Sequence, residues 1–422
     1  MKILFASGKL NAGFSATNKI ITQLAQQLAA KGHSCTVCGL AADCDESITT
    51  EKGVTLVRLN SGLMVDKAQI AFDQYSAALG DNARAAARKK FMLRHPFYGA
   101  ALVYRYSKFF DSGKRAAVYG KRIKKLAEKE KFDAAVISYM PFEEAFCAAK
   151  ALKDIMPVCL YQADPWGLHR DPGLAKDEAE HIRQETELFA LAEQIITTRP
   201  LYRLYKEHES YIPYTDRMTA MDFPNIRPPK YSSENSVFGF DSENINLLFC
   251  GLLEDDYRSP ELFLQSAMKL AEEGLPLRIH FLGTSTSRSL EAFMRKYPQN
   301  ILHHQAVSLE KAVATMEKAD ILLNISNTLD NQVPSKIFDY FSLGKPVLNV
   351  QKISDCPSRE YFDRYPLSFT LTDRTPDVQG MKEFLLSAKG RCVSYDTVSE
   401  LFYDATLEYA AAKCEKILAD IL

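Results

Sequence analysis

The stretch Asp330-Asn331-Gln332-Val333-Pro334-Ser335-Lys336-Ile337-Phe338-Asp339-Tyr340-Phe341-Ser342-Leu343-Gly344-Lys345-Pro346-Val347-Leu348-Asn349 decides how this chain is read. It predicts a loop that becomes a helix at Pro334, carries a carboxylate into that helix at Asp339, stops at Gly344 and re-enters a strand at Pro346. Proline suits the first helical position because its missing N–H would have had no intrahelical partner. The free N–H groups around it, together with the helix dipole, favour an anion off that end. Asp339, more than a turn further on, can accept hydrogen bonds from sugar hydroxyls. The layout suits a nucleotide diphosphate-sugar. Ile337, Phe338 and Phe341 read as packing residues, and Tyr340 fits either role.

Outward from this stretch, short apolar runs alternate with helical patterns along most of the chain, which predicts parallel sheets with helices on both faces. Strands are expected at Lys2 to Ser7, Thr36 to Leu40, Thr55 to Leu59, Ala134 to Ser138, Val158 to Gln162 and Gln194 to Thr198. Ser15 to Lys31 carries Ile20, Ile21, Leu24 and Leu28 at helical spacing. Prolines in Met221 to Lys230 and a Ser/Asn-rich stretch suit a linker. A second rhythm comes after it, with strands at Asn246 to Cys250, Leu277 to Leu282, Ile321 to Asn324 and Pro346 to Val350. Helices are expected at Pro260 to Gly274, Ser287 to Tyr297 and Leu309 to Lys318. The expected division is residues 1–222, a linker 223–240, a second domain 241–394, and a closing helix 395–422.

A length of 422 residues itself favours two domains. The formal net charge of −1 gives no support to a nucleic-acid partner. Neither a long apolar run nor a cleavable leader is read from the sequence, so a cytoplasmic protein is expected. Nine scattered cysteines argue for reduced thiols. Cys35 and Cys38 fall in a strand, where residues three apart face opposite ways. Residues 68–130 form a basic helical insertion, including Arg88, Lys89, Lys90, Arg94, Arg105, Arg115 and Arg122, interleaved with Phe91, Phe97, Tyr98 and Tyr104. Such a face can lie on an anionic membrane or simply be solvated, with its aromatics turned inward.

The opening stretch resembles the donor-binding motif of retaining glycosyltransferases of the GT-B fold, family 4, in which Glu, seven residues and Glu span the same loop and helix. Aligned on the proline, those positions are Asn331 and Asp339. The resemblance implies two Rossmann-like doubly wound α/β domains facing a cleft, with the C-terminal helix crossing back onto the first. It gives Asp339 the ribose hydroxyls of the donor, while Asn331 keeps an amide for a sugar hydroxyl but no charge. Relatives place Gly-Arg after the first strand of the second domain and a Lys several residues later. Here Leu252 stands at the Arg position and Arg258 at the Lys position, and Lys336 is the candidate for the second cation. Pro334 and Ser335 complete the phosphate seat, and Ala306 and Val307 fall where relatives hold the base.

In the first domain the resemblance brings Gly13 to the phosphate, in a loop where Ala12 replaces one glycine of a pair. Asp164, in Tyr161-Gln162-Ala163-Asp164-Pro165-Trp166, is the candidate for an electrostatic or proton-transfer role. Trp166, His169 and Asn327 are candidate sugar or acceptor contacts. An Asx turn with a packed Trp166 is the competing reading of that segment. The resemblance as a whole implies a glycosyltransferase that uses a nucleotide diphosphate-sugar, a UDP-sugar first among them. The acceptor would be a saccharide or lipid-linked group in cell-surface polysaccharide or glycolipid synthesis, with retention and no metal or cofactor. A sugar-nucleotide epimerase and an inactive donor-binding protein are the rivals.

Overall fold

A computed structural model describes residues 1–10, 16–41, 46–77, 84–105, 112–168, 177–228 and 235–422, the side chains of 16–18, 77 and 84–87 apart. The chain divides into two compact units, Met1–Asp222 with Leu407–Leu422, and Phe223–Thr406.

The first unit holds β1 (Lys2–Lys9), β2 (Ser34–Leu40), β3 (Ser47–Glu51), β4 (Val54–Leu59), β5 (Ala134–Ser138), β6 (Val158–Tyr161), β7 (Gln194–Thr197) and β8 (Met218–Ala220), in the order β3-β4-β2-β1-β5-β6-β7-β8. Every pairing is parallel except β3 with β4. That hairpin turns through Lys52 and Gly53, both at positive φ. The sequence reading missed β3 because its residues are mostly exposed and carry no apolar run. The central strands are buried along their whole length, as a sheet covered on both faces requires. Tyr119 is buried and donates its hydroxyl to the carbonyls of Ser7 and Cys38, both at 3.1 Å, which ties the ends of β1 and β2 to the helix Ser112–Glu130.

The closing helix expected over 395–422 is two helices. Tyr395–Leu401 belongs to the second unit, and Leu407–Asp420 packs on the helix Ala16–Ala30 of the first. A short 3₁₀ turn at Tyr403–Ala405 breaks the path. Glu415 fixes the second helix by an ion pair to Lys31 and a hydrogen bond with His33 Nε2, both at 2.8 Å.

The second unit holds β9 (Ile245–Cys250), β10 (Leu277–Leu282), β11 (Ile301–His304), β12 (Ile321–Ile325), β13 (Val347–Gln351) and β14 (Ser368–Thr372), all parallel, in the order β11-β10-β9-β12-β13-β14. The two outer strands escaped the sequence reading, because neither β11 nor β14 has the unbroken apolar run of a central strand. The decisive stretch forms the helix Lys336–Ser342, stopped by Gly344 in the left-handed conformation that glycine tolerates. Phe338 and Phe341, fully buried, anchor that helix against Tyr361, Tyr365 and Phe402. Burying one such ring is worth about 1.5–3 kcal/mol.

The eight cysteines among the described residues are free thiols. Cys35 and Cys38 are buried, and burial pushes the Cys35 thiol up to about 12, an inert environment for both.

Candidate functional site

In the second sheet the strand order reverses between β9 and β12, so the chains leaving these neighbours turn apart and open a crevice at their carboxyl ends. The loop after β9 leads into the short helix Asp255–Arg258, and the loop after β12 leads into Lys336–Ser342. Both cations expected at a diphosphate therefore arise from the two loops that flank the reversal. Lys336 Nζ donates to the Cys250 carbonyl at 3.0 Å. Gly251 sits at φ +147°, a backbone conformation that requires glycine, and a Cβ there would displace the Lys336 amine. Tyr340, buried beneath, holds the Cys250 amide at 3.4 Å.

Arg258 and Lys336 face a shared electrostatic deficit. Burial lowers the affinity of the Arg258 guanidinium for its proton. Burial also lowers the Lys336 amine, and the Arg258 charge lowers it further. Among the described residues no ion pair joins either cation to a carboxylate. The Arg258 side chain lines a cavity of about 200 Å³ together with Leu252, Glu254, Tyr257, Asn327, Leu329 and Gln332. Two neighbouring cations, partly removed from water and only partly offset by the Glu254 and Asp339 carboxylates, favour an anion placed beside them.

The remaining expected residues are distributed around this centre. Asn327 is on the cavity wall, whereas Asn331 is buried in the same loop and does not line it. Pro334 and Ser335 form the turn that starts the helix, and Ser335 makes no side-chain cap. Ala306 is exposed and Val307 half-buried, after β11 at the same end of the sheet. Asp339 has a partner that the sequence reading did not include, Arg227, whose Nη2 lies 3.1 Å from Asp339 Oδ1. The segment read as a linker instead runs along the helix. Asn225 Nδ2 donates to the Ser335 carbonyl at 3.4 Å, the Arg227 amide donates to Ser342 Oγ at 3.2 Å, and Ile226 is buried. Its proline-rich composition carried no signal of this docking.

In the first unit, Asp164 is half-buried in the turn after β6. Trp166 stacks on Phe142 with ring centroids 4.8 Å apart and planes 5° from parallel, and its indole N–H donates to Gln184 at 3.1 Å. One face of the ring is thus taken up by packing. Gly13, with Asn11 and Ala12, and His169 with Arg170, lie outside the described residues. Of the basic insertion, Arg115 is buried in ion pairs with Asp66 at 3.0 Å and Glu144 at 3.1 Å. Arg105 also pairs with Asp66, and Arg122 pairs with Glu46. Phe91 is buried against Phe72 and Leu102.

No protein-family model matches the sequence, and no curated protein matches it either. Solved structures do resemble it in fold. An apo structure named OtsA has a TM-score of 0.61 at 10% identity, with all of both chains covered. A sucrose-phosphate synthase from Thermosynechococcus elongatus has a TM-score of 0.61 at 9% identity, covering all of this chain and 97% of its own. A lipopolysaccharide outer core galactosyltransferase, WaaB, has a TM-score of 0.56 at 11% identity over the whole of both chains. The fold also extends to a UDP-GlcNAc 2-epimerase from Neisseria meningitidis, at TM-score 0.54 and 12% identity over the whole of both chains. Two parallel-sheet Rossmann-like units and these resemblances establish that the chain has the GT-B glycosyltransferase fold.

Proposed function

We propose that this protein is a glycosyltransferase that takes a sugar from a nucleotide diphosphate-sugar, a UDP-sugar first among them, and passes it to a saccharide or lipid-linked acceptor. The observation that carries the reading is the Arg258 and Lys336 pair at the strand reversal of the second unit, partly buried, mutually repelling and in no ion pair with a carboxylate among the described residues. A diphosphate supplies the charge that this pair lacks, and charge-assisted hydrogen bonds to it are about twice as strong as neutral ones. In the proposed retaining transfer, the bond between the anomeric carbon and the diphosphate oxygen breaks as the acceptor oxygen bonds to that carbon on the same face. The acceptor proton passes to the leaving diphosphate. The protein then acts by orientation and electrostatics, with no metal in the scheme. Asp164 is assigned to charge stabilisation near the anomeric carbon, and Asn327, on the cavity wall, to a sugar hydroxyl, while buried Asn331 is assigned to holding that loop. Asp339 is assigned to the ribose after giving up part of its pairing with Arg227.

The test is a panel of UDP-, GDP- and ADP-sugars scored first by thermal stabilisation, since a ligand bound by the folded state alone must raise the unfolding midpoint. The donor that stabilises should then release its nucleoside diphosphate, faster with a saccharide acceptor. Stabilisation without release sinks the transferase in favour of a binding protein. Because fold neighbours include UDP-GlcNAc 2-epimerases, the same incubations should be assayed for an epimerised sugar, which would replace the transferase reading.

We also place this protein at the surface of an anionic membrane in polysaccharide or glycolipid synthesis, where lipid-linked acceptors reside. Arg105 and Arg115 are taken up by the buried Asp66 ion-pair cluster and Arg122 pairs with Glu46, whereas exposed apolar side chains stand beside exposed cations at the corner between the helices Arg84–Arg94 and Pro96–Arg105. There Leu93 is 77% and Phe97 85% exposed, beside exposed Lys89, Lys90 and Arg94. Apolar side chains next to cations suit shallow insertion among anionic headgroups. No helix among the described residues is long and apolar enough to cross a membrane. Sedimentation with phosphatidylglycerol vesicles should show binding that high salt and the double change Leu93→Ser, Phe97→Ser each abolish. Binding that survives both would refute this surface.

A further inference from the structure

Glu185, on the helix Glu178–Ala190, has no exposed surface, yet it lies in no site that the sequence reading assembled. Six donors converge on its carboxylate. Oε1 accepts from Gln162 Nε2 at 2.8 Å, the Trp166 amide at 2.9 Å, Tyr205 Oη at 3.1 Å and Tyr139 Oη. Oε2 accepts from the Gly167 amide at 2.8 Å and Tyr211 Oη at 2.5 Å. Three of the six donors belong to the segment Gln162–Gly167, which contains Asp164. The fit leaves no slack, since a Cβ on Gly167 would lie 2.7 Å from Glu185 Oε2 and 2.8 Å from Ile182 Cα, and would collide with the Tyr211 hydroxyl.

We infer that Glu185 is a positioning residue that fixes the turn carrying Asp164, and so governs the rate of sugar transfer without touching substrate. The inference rests on the transferase reading above. Its physical basis is the distribution of acceptors. Each carboxylate oxygen accepts one backbone amide of the turn, Trp166 on Oε1 and Gly167 on Oε2. Glutamine at this position keeps the size but has a single acceptor oxygen. Whichever way its amide points, one of the two backbone N–H groups faces another N–H, and a buried unsatisfied amide moves to find a partner. The tyrosines can reverse their hydroxyls; the backbone amides cannot. The displacement therefore falls on the turn, two or three residues from Asp164.

Trp166, the only tryptophan in the chain, reports on this turn directly by its emission. The experiment uses full-length protein and the nucleotide-sugar that most stabilises the wild type. Glu185→Gln should lower kcat for nucleoside diphosphate release on the order of 100-fold, the scale expected for a misplacement near 1 Å. Donor dissociation constant and KM should stay at wild-type values, and Trp166 emission should shift. Gly167→Ala, which keeps the carboxylate and all three tyrosines, should give the same split, because its Cβ presses on Glu185 Oε2 and the Tyr211 hydroxyl and pushes the turn away from them. The inference is overturned if either folded variant keeps wild-type kcat, if kcat and donor affinity fall together, or if both variants fail to fold, since Glu185 would then serve stability alone. A wild-type protein that releases no nucleoside diphosphate from any donor instead overturns the transferase reading, whatever the variants do.

Discussion

Glu185 in the first unit and the Arg258–Lys336 pair in the second are both charge withdrawn from water, but they are compensated in opposite ways. The carboxylate receives six hydrogen bonds from its own unit. Of the two cations, Lys336 donates to the Cys250 carbonyl and Arg258 borders a cavity. Saturation holds a backbone segment in place before any ligand arrives, and a deficit marks where a ligand of the missing sign is to be received. The sharpest way to break this contrast is to remove the deficit. Arg258→Ala combined with Lys336→Ala should weaken donor binding on the order of a thousandfold, and Arg258→Ala alone by roughly 10- to 150-fold, at about 1.5–3 kcal/mol for each charged hydrogen-bond partner. Titration calorimetry with the stabilising nucleotide-sugar measures both. Unchanged affinity would end the role of the pair, whereas the fold should tolerate the loss because each variant relieves repulsion.

A third buried group resolves the same problem by staying neutral. His280 Nδ1 lies 3.1 Å from His304 Nε2, and both rings stack with Phe238 from the segment leading into β9. Burial holds His280 down to about 4, assisted by the charges of His304 and Arg278. The folded state thus refuses a proton that the unfolded chain accepts near pH 6.5, so the stabilisation is complete above that pH and is lost as pH falls toward 4. The shift corresponds to about 3 kcal/mol at most. Unfolding midpoints measured from pH 7 to pH 4 should fall for the wild type and fall less for His280→Phe. Parallel curves for the two proteins would place the acid sensitivity elsewhere.

The legibility of these features in the sequence depends on what each is made of. Buried parallel strands announce themselves as apolar runs, so β5 and β10 fall on the expected residues. Exposed edges such as β3 have no such run and were missed. At the site, Arg258 and Lys336 are reached from the sequence through a resemblance that orders them along two strand-ending loops, and those loops flank the strand reversal. Arg227 is not reached, because its partner Asp339 is brought to it only by tertiary docking of a proline-rich segment. Glu185 was hidden for the same reason: its donors are scattered from Tyr139 to Tyr211, and on its own helix it reads as one acid among several. Trp166 was visible as unique but not as packed, since stacking on Phe142 depends on where the next helix begins.

Smaller changes sharpen the comparison on the side of the deficit. Gly251→Ala should destabilise the second unit by about 1–3 kcal/mol, the cost of holding an L-residue in this backbone region. It should also displace the Lys336 amine, so that donor affinity falls even at temperatures where the protein is fully folded. Denaturant unfolding and donor titration on the same preparation separate the two effects. Wild-type donor affinity in a folded Gly251→Ala protein would mean that the seat of Lys336 at Cys250 is not needed for binding.

The smallest expected effect concerns the proton on Lys336. Burial and the neighbouring Arg258 charge lower its affinity for that proton in the free protein. The unfolded chain therefore binds the proton more readily than the folded one. Over the window between the depressed folded value and the ordinary lysine value near 10.4, stability of the free protein should rise with pH. A diphosphate reverses the balance, because its charge favours the protonated amine and returns the lysine toward its ordinary range. Donor binding should then take up protons in the alkaline window, and apparent affinity should fall as pH rises through it. Calorimetry in two buffers of different ionisation enthalpy reads the proton uptake directly, and Lys336→Met should abolish it while leaving the binding stoichiometry unchanged. Equal uptake in the wild type and Lys336→Met would show that the proton goes elsewhere, and that the lysine is not the group whose charge the donor completes.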